Sequence, residues 1–145
     1  TSTHDLPTLT GWLRARDIDW NERLNLIDPI AAQRWREERQ RECEGLDRAL
    51  RLDPQNFQEE VQGNAPTLDA SIRFLGHTRA PLVLLPIEDA LGLEEQANVP
   101  GTVSGHPNWC RRLPGDCSLL LDAIDATQRF ELLACARLQA HERDR

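Results

Sequence analysis

The sequence predicts an α/β fold that is mostly helical, with one short buried strand near 82–85. Three observations carry this reading. Apolar residues recur at helical spacing in most segments outside the loops. Leu82–Leu85 is a continuous apolar run fenced by Pro81 and Pro86, as in a strand covered on both faces. That run follows a helix, so the two read as the second half of a βα repeat. A length of 145 residues, with 39% hydrophobic and 28% charged residues, fits one folded unit spanning 1–145 with a modest core.

Asp5 stands where it would cap a helix through Leu6–Arg16, with Pro7 in the first turn. Leu9, Trp12 and Leu13 form its apolar stripe. Residues 17–27 read as a short helix or turn carrying Trp20, Leu24 and Ile27. Asp28-Pro29 is a cap followed by proline at the first helical position, and opens a long helix to about Leu50. Ile30, Trp35, Cys43, Leu46 and Leu50 are its expected inward residues, and the charge run RWREERQREC reads as a solvated face. A polar connection follows, with a helical turn around Phe57–Val61. Thr67 then caps a helix bearing Leu68, Ile72 and Leu75, with Gly76 near its end.

Beyond the apolar run, residues 91–116 are rich in Gly, Pro and Asn and read as a structured, function-bearing loop. Ser118–Ile124 is a short helical segment. Asp125 to Gln128 resembles a capping box that opens the last helix, whose apolar residues are Leu132, Leu133, Cys135, Ala136 and Leu138. One strand does not make a sheet, so its neighbours are expected in chain outside these residues.

The net charge of −7 gives no attraction for nucleic acid or an anionic membrane. All 17 basic residues are Arg, which reads as codon bias. Cys43, Cys110, Cys117 and Cys135 lack paired spacing and are expected to be buried free thiols. A metal hydrolase built on His4, Asp5, His77 and His106 has no ligand spacing behind it, so neither metal nor cofactor is expected. With no signal-peptide pattern or bilayer-length apolar run in these residues, a reducing, cytoplasmic setting is the expectation.

STHDLPTLTGW, GWLRARDIDW, RAPLVLLPIEDALGLEEQANVPGT and HPNW with its Arg pair, taken in this order, resemble the C-terminal third of the 4-alpha-glucanotransferases (amylomaltases or disproportionating enzymes). The resemblance implies the C-terminal portion of a (β/α)8 barrel, from the end of strand seven onwards. It implies that Asp5 is the catalytic carboxylate that stabilises the transition state and that His4 hydrogen-bonds the same sugar. It also implies that Asn98, Pro100 and Gly101, with Thr102, line the groove for a maltooligosaccharide or α-glucan, with Asn98 in contact with sugar. Cys110 departs from the family, which usually carries another Arg after HPNW.

Each residue also has a plainer reading. Asp5 serves as a helix cap, and residues 98–102 as a tight turn in which Gly101 takes a positive φ. Trp109 is a sugar platform or, like Trp12, Trp20 and Trp35, a core anchor. Glu88 and Asp89 follow the strand, where barrel enzymes keep site residues, or else cap and pair. Arg111 and Arg112 read as structural.

The expected activity is transfer of α-1,4-glucan segments between maltooligosaccharides by a retaining mechanism. No position here matches the nucleophile or acid/base motif, so the 145 residues alone are expected to be an inactive fragment. The alternative is a non-catalytic helical module that binds a partner or a glucan. Apolar faces left without barrel neighbours lead to an expectation of self-association.

Overall fold

The structure, a computed structural model, describes residues 5–52 and 68–143. Its helices are α1 (Leu9–Leu13), α2 (Arg16–Arg23), α3 (Pro29–Leu52), α4 (Leu68–Gly76), α5 (Ile87–Ala90) and α6 (Ile124–Arg143), with a 3₁₀ turn at Cys117–Asp122. The expected turn at 57–61 and the Thr67 cap lie outside the described residues, as does His4.

The predicted first helix is two. Ala15 takes a left-handed conformation with φ of 57° and separates α1 from α2. Thr8, not Asp5, caps α1: its hydroxyl accepts the Gly11 N–H at 3.0 Å and donates to the Glu94 carbonyl at 3.1 Å. This overturns the capping reading of Asp5. Asp28 caps α3 as the sequence implies, accepting the Ala31 N–H at 2.8 Å.

The α3 interface corrects the expected inward residues. Ile30 is 84% exposed and Trp35 is also exposed. The covered stripe runs through Ala32, Arg36, Arg39, Cys43, Leu46 and Leu50 at helical spacing, so two members of the charge run face inward. Arg36 donates to Asp19 at 2.8 Å and to Glu22 at 2.5 Å. Arg39 forks onto both carboxylate oxygens of Asp17 at 2.9 Å, donates to the Trp12 carbonyl at 2.6 Å, and lies 4.7 Å from the Trp12 ring centre. Bidentate charge-assisted bonds of this kind combine strength with a fixed orientation.

Helices α4 and α6 make the other main packing layer. Ile72 is fully buried, and Gly76 lies so close to Ala136 that a Cβ at position 76 would sit 2.5 Å from the alanine methyl. Arg129 ties α6 to its neighbours through Asp69 at 2.7 Å and the Ala90 carbonyl at 2.9 Å. Helix α6 begins one residue before Asp125, so that carboxyl lies in the first turn rather than at the expected cap.

Residues 82–86 form no strand, which corrects the expected buried strand at 82–85. Leu82 and Leu84 are 71% and 68% exposed, whereas Val83 and Leu85 are half-buried. Covered and exposed side chains alternate along the run, and no strand is present among the described residues. The thiols are free, but only Cys43 is partly covered; Cys110, Cys117 and Cys135 are exposed, contrary to expectation.

Two glycines separate close approach from helix propensity. A Cβ at Gly11 would fall 2.3 Å from the Glu94 carbonyl oxygen, whereas one at Gly45, exposed within α3, meets nothing within 4 Å. Gly11→Ala is therefore expected to destabilise the fold by about 1–3 kcal/mol. Gly45→Ala is expected to stabilise it by about 0.5–1 kcal/mol. Urea unfolding of the two variants beside the parent checks both signs.

Candidate functional site

Asp5, released from capping, meets a loop residue far away in the chain. Asn98 donates from Nδ2 to Asp5 Oδ1 at 2.8 Å, across a separation of 93 residues and at an exposed position. The structure thus brings together two of the candidate site residues. Pro100 and Gly101 follow at the exposed loop tip, where Gly101 takes the expected positive φ, 79°. Asn98 also accepts, through its carbonyl, a 2.6 Å bond from the buried Gln96 side chain.

The segment after α5 lies along α1 and α2. Asp89 is fully buried and accepts the Leu9 N–H at 2.7 Å, beside the start of α1. This is the structural role weighed for Asp89. Arg14 pairs with Glu94 at 2.6 Å. Glu95 receives three side chains: Arg16, whose Nε approaches Oε1 to 2.8 Å and whose Nη2 reaches the same oxygen; the Trp20 indole N–H at 2.7 Å; and Arg111 at 3.2 Å. Arg111 is thus structural, as read. Partial burial pushes the Glu95 carboxyl up, but the hydrogen bonds from Arg16 and Trp20 and the charges of Arg111 and Arg16 outweigh it and hold the group below its ordinary value.

Trp20 is the core anchor the sequence suggested. It is buried, edge-on to the His106 ring at 4.6 Å, with Arg16 and Arg23 each 5.1 Å from its ring centre. Trp109 is not a core anchor: it is 62% exposed and holds a φ of 58°.

The HPNW stretch organises the loop. Asn108 Oδ1 accepts the Val99 N–H at 3.0 Å and the His106 Nδ1–H at 2.5 Å. Its Nδ2 donates to the Thr102 carbonyl at 3.1 Å and hydroxyl at 2.6 Å. His77, by contrast, bonds Gln139 on α6 at 3.2 Å, in different surroundings from His106 beside Trp20. Among the described residues no group of three or more His, Cys, Asp or Glu is placed to hold a metal ion, and no helix is long and apolar enough to cross a membrane.

Glu95 and Asn108 are the residues that reasoning from the sequence missed. Both stand inside the quoted motifs, but neither periodicity nor spacing marks a carboxylate or amide whose partners lie in another segment.

Residues 1–118 match the family model described as 4-alpha-glucanotransferase. The 4-alpha-glucanotransferases of Mycobacterium tuberculosis and Mycobacterium bovis are each 29% identical over 141 residues, covering 92% of this chain and 18% of theirs. That of Haemophilus influenzae is 25% identical over 117 residues, covering 77% of this chain and 17% of its own. The chain therefore spans less than a fifth of the length of these relatives. It belongs to the 4-alpha-glucanotransferase family.

The depressed Glu95 titration has a signed consequence. A carboxyl bound more tightly to its proton in the unfolded chain than in the folded one adds stability above the ordinary value of 4.5, and that contribution is lost as pH falls through the lower folded value. The stability difference between the parent and Glu95→Gln is expected to be full at neutral pH and to shrink in acid below about 4.5. Urea midpoints from pH 7 to pH 3 test this; an equal difference at both ends would remove the ion pairing from the account.

Proposed function

We propose that these residues act within a 4-alpha-glucanotransferase that moves α-1,4-glucan segments between maltooligosaccharides by a retaining mechanism, with Asp5 as its transition-state-stabilising carboxylate. The observation that carries the reading is the 2.8 Å bond from Asn98 to Asp5, which unites the HD and EEQANVPGT motifs of one family at an exposed position.

The chemistry suits the residue types. Cleavage of a glycosidic bond develops positive charge on the sugar ring. A carboxylate already oriented beside it lowers the barrier without reorganisation at the moment of reaction. Asn98 holds one Asp5 oxygen and so limits rotation of the carboxylate. In this reading His4 bonds the same sugar, while Pro100 and Gly101 shape the groove beyond it. Transfer to a sugar rather than water calls for a groove from which water is excluded.

Retaining cleavage also takes a nucleophile and an acid/base with carboxyls about 5 Å apart. We assign neither to this chain, and the 145 residues by themselves are expected to be inactive. The same reading assigns the segment to the C-terminal portion of a (β/α)8 barrel, whose sites gather at the C-terminal ends of the strands, and the enzyme to cytoplasmic carbohydrate metabolism.

In the complete enzyme, Asp5→Asn is expected to cut the turnover of maltotriose into glucose and longer chains by about 100- to 1,000-fold. The isolated 145 residues are expected to release no glucose. Chromatography of the products measures both. Near-normal turnover by Asp5→Asn, or turnover by the isolated chain, would overturn the assignment, and the first of these favours a non-catalytic, glucan-binding role for the segment.

A further inference from the structure

We propose that Asn108 is a positioning residue for this site, acting through Asn98 on the orientation of Asp5. The inference rests on the catalytic reading of Asp5 above.

An asparagine side chain has two N–H donors and an oxygen with two lone pairs. Asn108 uses all four, on Val99, on His106 and twice on Thr102. The direction of each bond is settled by its partner. Val99 offers a backbone N–H, so it meets the amide oxygen. The Thr102 carbonyl only accepts, so it meets the amide nitrogen. The Thr102 hydroxyl spends its own proton on the Val99 carbonyl at 2.7 Å and therefore accepts from Asn108. His106 is left to donate from Nδ1, and its buried Nε2 has no hydrogen-bond partner among the described residues. An aspartate here would have no donor for Thr102, and an alanine would abandon all four bonds.

The bonds converge on the residue that holds Asp5. Asn98 lies between Ala97, whose carbonyl accepts the Trp109 N–H at 3.0 Å, and Val99, whose N–H is held by Asn108. Its own carbonyl is held by Gln96. The backbone of Asn98 is therefore fixed from both sides by consecutive residues 108 and 109, and its side chain projects to Asp5. Trp109 keeps a left-handed φ of 58°, a conformation that a bulky residue holds only when its surroundings over-determine it. The consequence is mechanical: loosening Asn108 lets Asn98 wander, and Asp5 loses its fixed oxygen. Misplacing a reacting group by about 1 Å costs on the order of 100-fold in rate.

The test is a double-mutant cycle in the complete enzyme, with maltotriose as substrate. Asn98→Ala and Asn108→Ala are each expected to lower kcat by about 10- to 100-fold, with KM little changed, because the orientation of Asp5 matters most in the transition state. The double variant is expected to be no slower than Asn98→Ala alone, because Asn108 acts only through Asn98. Multiplied losses, a loss confined to KM, or an Asn108→Ala kcat within twofold of the parent would overturn the proposal.

Thr102→Val removes only the hydroxyl partner and serves as the milder arm if Asn108→Ala does not fold. It is expected to lower kcat by a smaller factor and to add nothing to Asn98→Ala; multiplied losses in that pair count equally against the linkage. Asp5→Asn separates the two claims. If it keeps near-normal turnover, the catalytic reading and the inference fall together. If it is inactive while Asn98 and Asn108 act independently, only the positioning role falls.

Discussion

The geometry of the site depends on the carboxylate of Glu95. Two guanidinium groups and an indole N–H meet there: Arg16 and Trp20 from α2, and Arg111 from later in the loop. An exposed ion pair contributes little, since water screens it and side-chain ordering opposes it. Glu95 is different because it is partly covered and shared by three donors, so loss of the carboxylate would leave several half-buried polar groups without a partner. Its neighbours extend the seam. Thr8 bonds the Glu94 carbonyl, Arg14 bonds the Glu94 side chain, and Leu9 bonds Asp89. With residues 89–95 laid along α1 and α2, Asn98 is only three residues further on, and the reach to Asp5 becomes short.

A second constraint is the use of arginine where a core would ordinarily hold aliphatic side chains. Helix α3 presents Arg36 and Arg39 to α1 and α2 in the same stripe as Ala32 and Leu50. Each meets acidic partners on α2, and Arg39 adds a carbonyl and an aromatic face of α1. A guanidinium suits this task because its planar fork serves several acceptors at once, which an ammonium does with less geometric control. The interface is therefore directional: it fixes how α3 crosses the two short helices, whereas an apolar seam would tolerate sliding. Among the described residues, Ile18, Ile72 and Val99 are the largest hydrophobic side chains that are fully covered, with Trp20 and Leu50 nearly so.

The chain belongs to the 4-alpha-glucanotransferase family, but a family or fold alone does not supply a mechanism; chemistry resides in particular side chains. In the proposed account the carboxylate comes from the stretch before α1, the amide that restrains it from a loop after α5, and the order of that loop from the HPNW stretch. Two segments distant in the chain, the stretch before α1 and this loop, must dock before the site exists. The His106–Trp20 contact joins the second of these to the helical core, so that the loop and the packing beneath it are parts of one arrangement.

The sequence by itself determined the local grammar. The Asp28-Pro29 start of α3, the α4 helix ending at Gly76, the positive φ of Gly101 and the Gly- and Pro-rich loop all follow from single-residue stereochemistry, which acts over a few positions. Motif order was enough to indicate the family and to single out Asp5 and Asn98. Only the tertiary structure decided that Thr8 rather than Asp5 caps α1, that Arg36 and Arg39 face inward, that Leu82 and Leu84 lie exposed instead of in a buried strand, and that Glu95 and Asn108 organise the loop. The reason is physical. Local propensity is set by a residue's own backbone and nearest turn, whereas burial and ion pairing depend on which distant groups arrive opposite. A charged side chain shows no sign in the sequence of the partner that will cover it.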